Sequence, residues 1–142
     1  EDLRGQSASS RAELINYFAL EKVQNQSLDQ LSGGTRQKVA AVIAFMFNAP
    51  IIILDEPTVG LDPLTAVHFK DLVLSRAQQG TTFIFVSHIL PEIEKMAKEM
   101  IFMNDGEIVF SGSIQALLQQ TGTPQLDRAL ITLFENHKEQ QR

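Results

Sequence analysis

Two adjacent carboxylates are the residues best suited to chemistry in this chain. Asp55 and Glu56 follow an apolar run from Ile51 to Leu54, whose β-branched side chains and lack of polar alternation predict a parallel strand buried on both faces. Open α/β sheets bind ligands beyond the carboxyl ends of their strands. An acid there can hold Mg²⁺, and its neighbour can orient a water molecule for attack on phosphorus. Taken alone, the pair fits a solvated acidic turn equally well.

A second candidate is a serine and two glycines in front of a helical pattern. The segment reads Leu31, Ser32, Gly33, Gly34, Thr35, and the glycine pair predicts a break before a helix that starts at Thr35. Free N–H groups at a helix N terminus, without side chains to block approach, suit an anion. Ser32 adds a hydroxyl donor. A lone Ser-Gly-Gly is more often a flexible turn.

The third candidate is His88, which comes after the apolar segment Thr81 to Val86. A histidine beyond the carboxyl end of a strand can contact phosphate, and it changes charge near neutral pH. For this residue alone, a polar position in a loop is the more common interpretation.

Hydrophobic periodicity and turn residues predict the elements that position these groups. Predicted helices start at Ser10, where there is a capping box, and at Thr35, Asp62, Pro91, Ser113 and Thr123; the helix from Asp62 is expected to end near Gln79. Predicted strands span residues 51–54, 81–86, 100–103 and 107–110. The last two strands are joined by the turn Asn104-Asp105-Gly106. The second helix is expected to bury Val39, Ile43, Met46 and Phe47, and the polar opening, Glu1 to Ser9, to be frayed. This alternation predicts an α/β fold with parallel crossovers.

Composition excludes several classes of function. The 142 residues are 44% hydrophobic and 20% charged, as in a globular domain, and the formal net charge of −5 gives no basic surface for nucleic acid. The absence of cysteine excludes disulfides and thiolate metal sites. No apolar run approaches the ~20 residues that span a bilayer. The chain starts at Glu1 without an initiator Met, and we interpret this start as a boundary inside a longer protein.

Together, these motifs resemble the ATP-binding subunits of ABC transporters. The order is Leu-Ser-Gly-Gly, then an apolar run ending in Asp-Glu-Pro, then Gly-Leu-Asp-Pro at 60–63, then a strand followed by histidine. The resemblance extends from the helix at Ser10 to the helix at Thr123. It implies a partial P-loop NTPase fold with three layers and a mostly parallel sheet. Residues 1–49 would be part of the helical signature subdomain, and residues 50–142 would be part of the ATPase core.

The resemblance also implies a role for each candidate residue. Asp55 corresponds to the Walker B acid that helps to hold Mg²⁺, and Glu56 to the catalytic glutamate that polarises the attacking water. His88 corresponds to the switch histidine at the γ-phosphate. The segment Leu31 to Thr35 corresponds to the signature motif, which closes over ATP held by a partner subunit. Asp62 lies in the D-loop, which crosses the interface between the two subunits.

The function implied is that of a cytoplasmic ATPase at the membrane face. Its cofactors would be ATP and Mg²⁺. Its partners would be a second ATP-binding domain, arranged head to tail, and a transmembrane permease; no nucleic acid is expected. The C-terminal hairpin, Gly112-Ser113 and the final amphipathic helix look like those of bacterial exporters. Two alternatives remain, a soluble ABC ATPase without a permease and a non-catalytic regulatory module.

The sequence departs from the family pattern in two respects. Thr35 stands where many members have Gln, and Lys38 stands where Arg is frequent. No Gly-x-x-x-x-Gly-Lys-Ser/Thr phosphate loop occurs in the 142 residues, so the chain alone is expected to bind ATP poorly and to be inactive. In the family, the strand that carries this loop lies beside the strand matching Thr82 to Val86. Without that neighbour, we expect an unpaired strand edge.

Overall fold

The computed structural model describes residues 8–140. Helices α1 to α6 span Ala8–Tyr17, Gly33–Phe45, Pro63–Gln78, Leu90–Met96, Ile114–Thr121 and Leu126–Gln140, and strands β1 to β4 span Ile51–Asp55, Thr82–Val86, Glu99–Asn104 and Glu107–Ser113. Short 3₁₀ helices lie at Glu21–Val23 and Leu28–Gln30. No helix within the described range is long and apolar enough to cross a bilayer.

The chain divides into two compact units, one ending at Val86 and the other starting at Ser87. The predicted boundary between residues 49 and 50 concerns subdomains of the family fold, and it stays a prediction. The predicted fraying of the opening falls mostly on residues 1–7, outside the described range. Ala8 and Ser9 are already helical, so the predicted helix start at Ser10 is wrong.

The first unit contains a parallel pair of strands connected through α3. Strand β1 pairs with β2 in a register that places Ile53 opposite Ile84 and Asp55 opposite Val86. Asp62 caps the N terminus of α3, and Pro63 occupies its first turn, as the local sequence predicts. The predicted α/β class with a parallel crossover is therefore confirmed.

Three aromatic side chains join the helices of this unit to its sheet. Phe45 on α2 and Phe69 on α3 are each 1% exposed, and their rings lie 5.7 Å apart in an edge-to-face arrangement. Phe83 on β2 contributes the third ring, 6.0 Å from Phe45. This packing fixes α2 against β2, which matters because α2 carries the glycine pair at its start.

The opposite face of the same sheet is open, so the prediction of a strand buried on both faces is wrong for the described residues. Ile51 and Ile53 are 58% and 69% exposed, and Ile84 and Val86 on the neighbouring strand are both 50% exposed. Ile52 and Leu54 point to the other face and are buried. Alternation of burial along β1 shows one covered face, although every side chain before Asp55 is apolar.

Helix α2 begins two residues earlier than the sequence predicts. Ser32 caps it, and Gly33 and Gly34 form its first turn rather than a break. The predicted apolar face is also wrong, because Ile43 is 53% exposed. The buried side chains are those of Ala41, Val42 and Phe45. From Val39 to Phe47 every residue is apolar, so hydrophobic periodicity alone could not identify the buried face.

The second unit is a hairpin packed with helices. Strands β3 and β4 are antiparallel with an irregularity between Phe102 and Met103, and Asp105 and Gly106 take left-handed φ values of 48° and 81° in the predicted turn. Ser113 caps α5, also as predicted. The core consists of Ile114, Leu117, Leu126, Ala129 and Leu130, contributed by α5 and α6.

Candidate functional site

The serine and glycine segment forms the exposed N terminus of α2. The hydroxyl oxygen of Ser32 accepts a hydrogen bond from the backbone N–H of Thr35 at 3.2 Å and lies 2.8 Å from the Thr35 hydroxyl. Leu31 is buried, whereas Ser32 and Gly33 are exposed. The start of this helix therefore presents backbone N–H groups to the surroundings with no bulky side chain beside them.

Gly34 lies against the loop that connects β1 to α3. A Cβ atom on Gly34 would lie 2.6 Å from the carbonyl oxygen of Gly60, whereas a Cβ on Gly33 would meet nothing within 4 Å. Close packing therefore requires the second glycine, whereas the first borders open space. Gly60 has φ of +79°, a value that glycine adopts without strain.

The two carboxylates lie where the sequence places them, at the carboxyl end of β1. Asp55 is the last residue of the strand and is exposed. Glu56 is partly buried, and its φ is +44°, a left-handed value that is uncommon for a residue with a side chain. Its N–H donates to the carbonyl of Val86 at 2.9 Å, which extends the β1–β2 ladder by one residue. The chain then turns sharply away from the sheet.

Asp62 ends this loop and is held by three donors. The backbone N–H of Thr65 lies 2.9 Å from Oδ1, and its hydroxyl lies 2.6 Å from Oδ2. Nζ of Lys38 lies 3.2 Å from Oδ2. The Thr65 side-chain and backbone hydrogen bonds, followed by Lys38, hold the pKa of Asp62 well below its usual range.

Known proteins resemble this chain in both sequence and fold. The family model for ABC transporters matches residues 3–59. The ABC transporter ATP-binding protein NatA of Bacillus subtilis is 29% identical over 115 residues, which are 81% of this chain and 47% of NatA. A solved ATP-binding subunit of an ABC transporter matches with a TM-score of 0.83 and 26% identity, over 92% of this chain and 57% of that one. The chain belongs to the ABC transporter ATP-binding family.

A second solved ABC ATP-binding cassette is a dimer in a post-hydrolysis state, bound to ADP and phosphate. It matches with a TM-score of 0.66 and 30% identity, over 75% of this chain and 46% of that one. The chain thus spans about half the length of these ABC relatives. The predicted family and its P-loop NTPase fold are confirmed for this part of the ABC domain.

The ABC motifs of the first unit converge on one loop. Gly34 contacts Gly60, Asp62 is joined to α2 through Lys38, and Glu56 precedes both loop residues. His88 is the predicted site residue that lies in the second unit. It is exposed and lines an open pocket of about 460 Å³, together with Pro91 and Asp127. The catalytic and binding roles of all these residues stay predictions.

Sequence reasoning missed two contacts that connect the ABC motifs. Gln37 donates from Nε2 to the carbonyl oxygen of Glu56 at 3.2 Å, and Lys38 pairs with Asp62. Both lie one turn beyond Gly34, so the spacing i, i+3, i+4 could have placed them on the same helix face. The partner loop could not have been identified from that spacing.

Proposed function

We propose that this chain is the signature and Walker B part of an ATPase subunit that drives a membrane permease. The observation that carries the proposal is the conformation of Asp55 and Glu56 at the carboxyl end of β1. The strand ends in one exposed carboxylate, and the left-handed turn at the next residue aims the chain away from the strand direction. Two neighbouring carboxylates at one sheet edge can thereby take different roles, one as a ligand of a metal ion and one as the group that orients a water molecule.

The donor set fits a magnesium ion that is shared with phosphates. Mg²⁺ prefers oxygen ligands and usually takes one or two protein carboxylates, with water and phosphate oxygens completing the octahedron. Among residues 8–140 no group of three or more potential ligand side chains forms a closed cage, and Asp55 is exposed at the strand end. Asp55 would hold the ion, which neutralises developing phosphate charge when bound. Glu56 would orient and polarise the attacking water, and His88 would contact the γ-phosphate.

The exposed start of α2 supports a second ATP-binding domain as partner. Ser32 and Gly33 are open to solvent, and the helix dipole favours an anion at this position. In a head-to-tail pair, Leu31 to Thr35 would close over ATP held by the other subunit, with Asp62 near the interface. The dimeric state of one solved relative agrees with this arrangement.

The subunit would act at the cytoplasmic face of the membrane, bound to a permease. The C-terminal layout favours an exporter: the β3–β4 hairpin leads through Gly112 and Ser113 into α5 and the amphipathic α6. A soluble ABC ATPase and a regulatory module are the alternatives. Transport by the complete subunit with its permease would exclude a soluble ABC ATPase. ATP turnover by the complete subunit would exclude a non-catalytic regulatory module.

The deciding experiment is Glu56→Gln in the complete ATPase that contains this chain. Hydrolysis should fall by about 10²-fold or more, while the affinity for Mg-ATP changes little, because the water-orienting carboxylate is lost and Asp55 is retained. Glu135→Gln, an exposed substitution on α6, is the matched control and should leave turnover unchanged. Turnover of Glu56→Gln within a few-fold of the unsubstituted enzyme would refute the assignment.

A further inference from the structure

The backbone of Glu56 is fixed by three hydrogen bonds from three different parts of the first unit. Its N–H donates to Val86 on β2 at 2.9 Å. Its carbonyl oxygen accepts from the N–H of Val59 at 3.2 Å and from Nε2 of Gln37 at 3.2 Å. The first bond belongs to the sheet and the second to the local turn. The Gln37 bond is the one that reaches Glu56 from a separate helix.

This backbone needs such support because its conformation is unfavourable in two ways. A left-handed φ is sterically disfavoured for a residue with a Cβ atom. Glu56 also precedes Pro57, and a residue before proline is directed towards extended conformations. Without tertiary hydrogen bonds, the relaxed state of Glu56 would be extended. An extended residue would continue the direction of β1 and carry its carboxylate elsewhere.

Helix α2 is well placed to act as this support. Gly34, Gln37 and Lys38 lie on one helix face and contact the loop at Gly60, Glu56 and Asp62 respectively. The packing of Phe45 against Phe69 holds the other end of α2. Gln37 also lines a small pocket of about 150 Å³ together with Asp55. The amide of Gln37 therefore reaches the backbone carbonyl of Glu56 from a helix that is itself held by packing.

We propose that Gln37 is a positioning residue for ATP hydrolysis, which holds the left-handed backbone of Glu56 and so aims its carboxylate. This inference rests on the proposed function of Glu56. Gln37 acts through the carbonyl group of Glu56 and makes no contact with substrate in the proposal. Its loss should reduce the chemical step and leave nucleotide binding almost intact, since Asp55 and the start of α2 are unchanged.

Two substitutions separate the hydrogen bond from the packing of the side chain. Gln37→Met keeps the length of the side chain and removes the N–H donor, whereas Gln37→Lys keeps a donor at similar reach. In the complete ATPase, Gln37→Met should lower kcat about tenfold or more with KM for ATP within about threefold, and Gln37→Lys should restore most of kcat. Gln24→Met is the matched control, because Gln24 makes a similar amide bond to Glu21 on the surface.

The readouts distinguish this inference from the function on which it rests. If Glu56→Gln abolishes turnover and Gln37→Met retains more than half of it, the positioning role is refuted and the ATPase assignment stands. If Glu56→Gln itself retains turnover, the proposed function fails first. A fall in Tm for Gln37→Met and Gln37→Lys alike, with kcat and KM changing together, would show a structural role and would also refute the inference.

Discussion

The ammonium group of Lys38 lies 3.2 Å from the carboxylate of Asp62, which also receives both hydrogen bonds of Thr65. The carboxylate thereby caps α3 and ties it to α2. All three donors favour the ionised form of Asp62, and its pKa is lowered. The folded chain therefore favours the ionised carboxylate of Asp62 more strongly than the unfolded chain does.

Acid should therefore weaken the fold through Asp62. An Asp whose pKa is lowered by folding stabilises the native state above its unfolded pKa of about 3.9, and that contribution is lost as the pH falls further. Asp62→Asn should have a lower Tm than the unsubstituted chain at pH 7, and the difference should shrink as the pH is lowered below about 4. Thermal unfolding across this range measures it. A constant difference at all pH values would contradict the charge argument, and Asp29→Asn controls for net charge.

The two glycines of the signature motif should respond differently to the same substitution. Gly34→Ala brings a Cβ atom to 2.6 Å from the carbonyl oxygen of Gly60. The clash is with a backbone atom, so relieving it requires a shift of the loop or of α2 that costs free energy. The expected loss is about 1–3 kcal/mol in the free energy of unfolding. Gly33→Ala meets nothing within 4 Å and is the control. Denaturant unfolding of both variants is the measurement, and equal stability of the two would show that α2 and the loop can separate without cost.

The 142-residue chain should bind nucleotide weakly by itself. The start of α2 and the carboxylate of Asp55 are its polar groups for a nucleotide. The 142 residues contain no Gly-x-x-x-x-Gly-Lys-Ser/Thr sequence, whose backbone N–H groups would surround the phosphates. Calorimetric titration with Mg-ATP should give no binding tighter than about 1 mM, equivalent to about −4 kcal/mol. Micromolar affinity would instead mean that the residues present supply most of the binding energy.

The open face of the first sheet should make this chain self-associate. Ile51, Ile53, Ile84 and Val86 form one apolar patch, and within residues 8–140 β2 pairs with no strand except β1. Unpaired edges next to apolar faces favour association between chains. Light scattering over a dilution series should show oligomers. A strictly monomeric chain with strongly protected β2 amides would contradict this expectation.

A pair of lysine substitutions locates the associating surface. Ile53→Lys places a charge in the middle of the patch and should shift the chain towards monomer. Val67→Lys changes an apolar residue of α3 that is 48% exposed, so it is a control for added charge alone. Equal effects of both substitutions would place the association elsewhere.

The sequence predicts this structure best where its signals are local. Asp62-Pro63, Ser113 and Asn104-Asp105-Gly106 each specify a cap or a turn within a few residues, and all three form as predicted. The predicted buried face of α2 was wrong because the residues from Val39 to Phe47 are all apolar, so only the packing partners of the helix select the face that is buried. Exposure of Ile51 and Ile53 likewise depends on what covers the sheet.

The candidate site shows the same division between local and distant information. The candidate role of Asp55 and Glu56 is evident from the sequence, because two carboxylates follow an apolar run that predicts a strand. The left-handed φ of Glu56 is not evident, because it depends on Val86 and Gln37 at distant positions in the chain. Their contribution appears only when the fold brings three segments together.

The positive φ at Glu56 also affects how this position tolerates replacement. Glycine and asparagine adopt this conformation more readily than glutamate does. A library screened for thermal stability alone would therefore enrich for Gly or Asn at position 56, and each enriched chain would lack the carboxylate. Laboratory selection for robustness and selection for turnover would then diverge at this one residue.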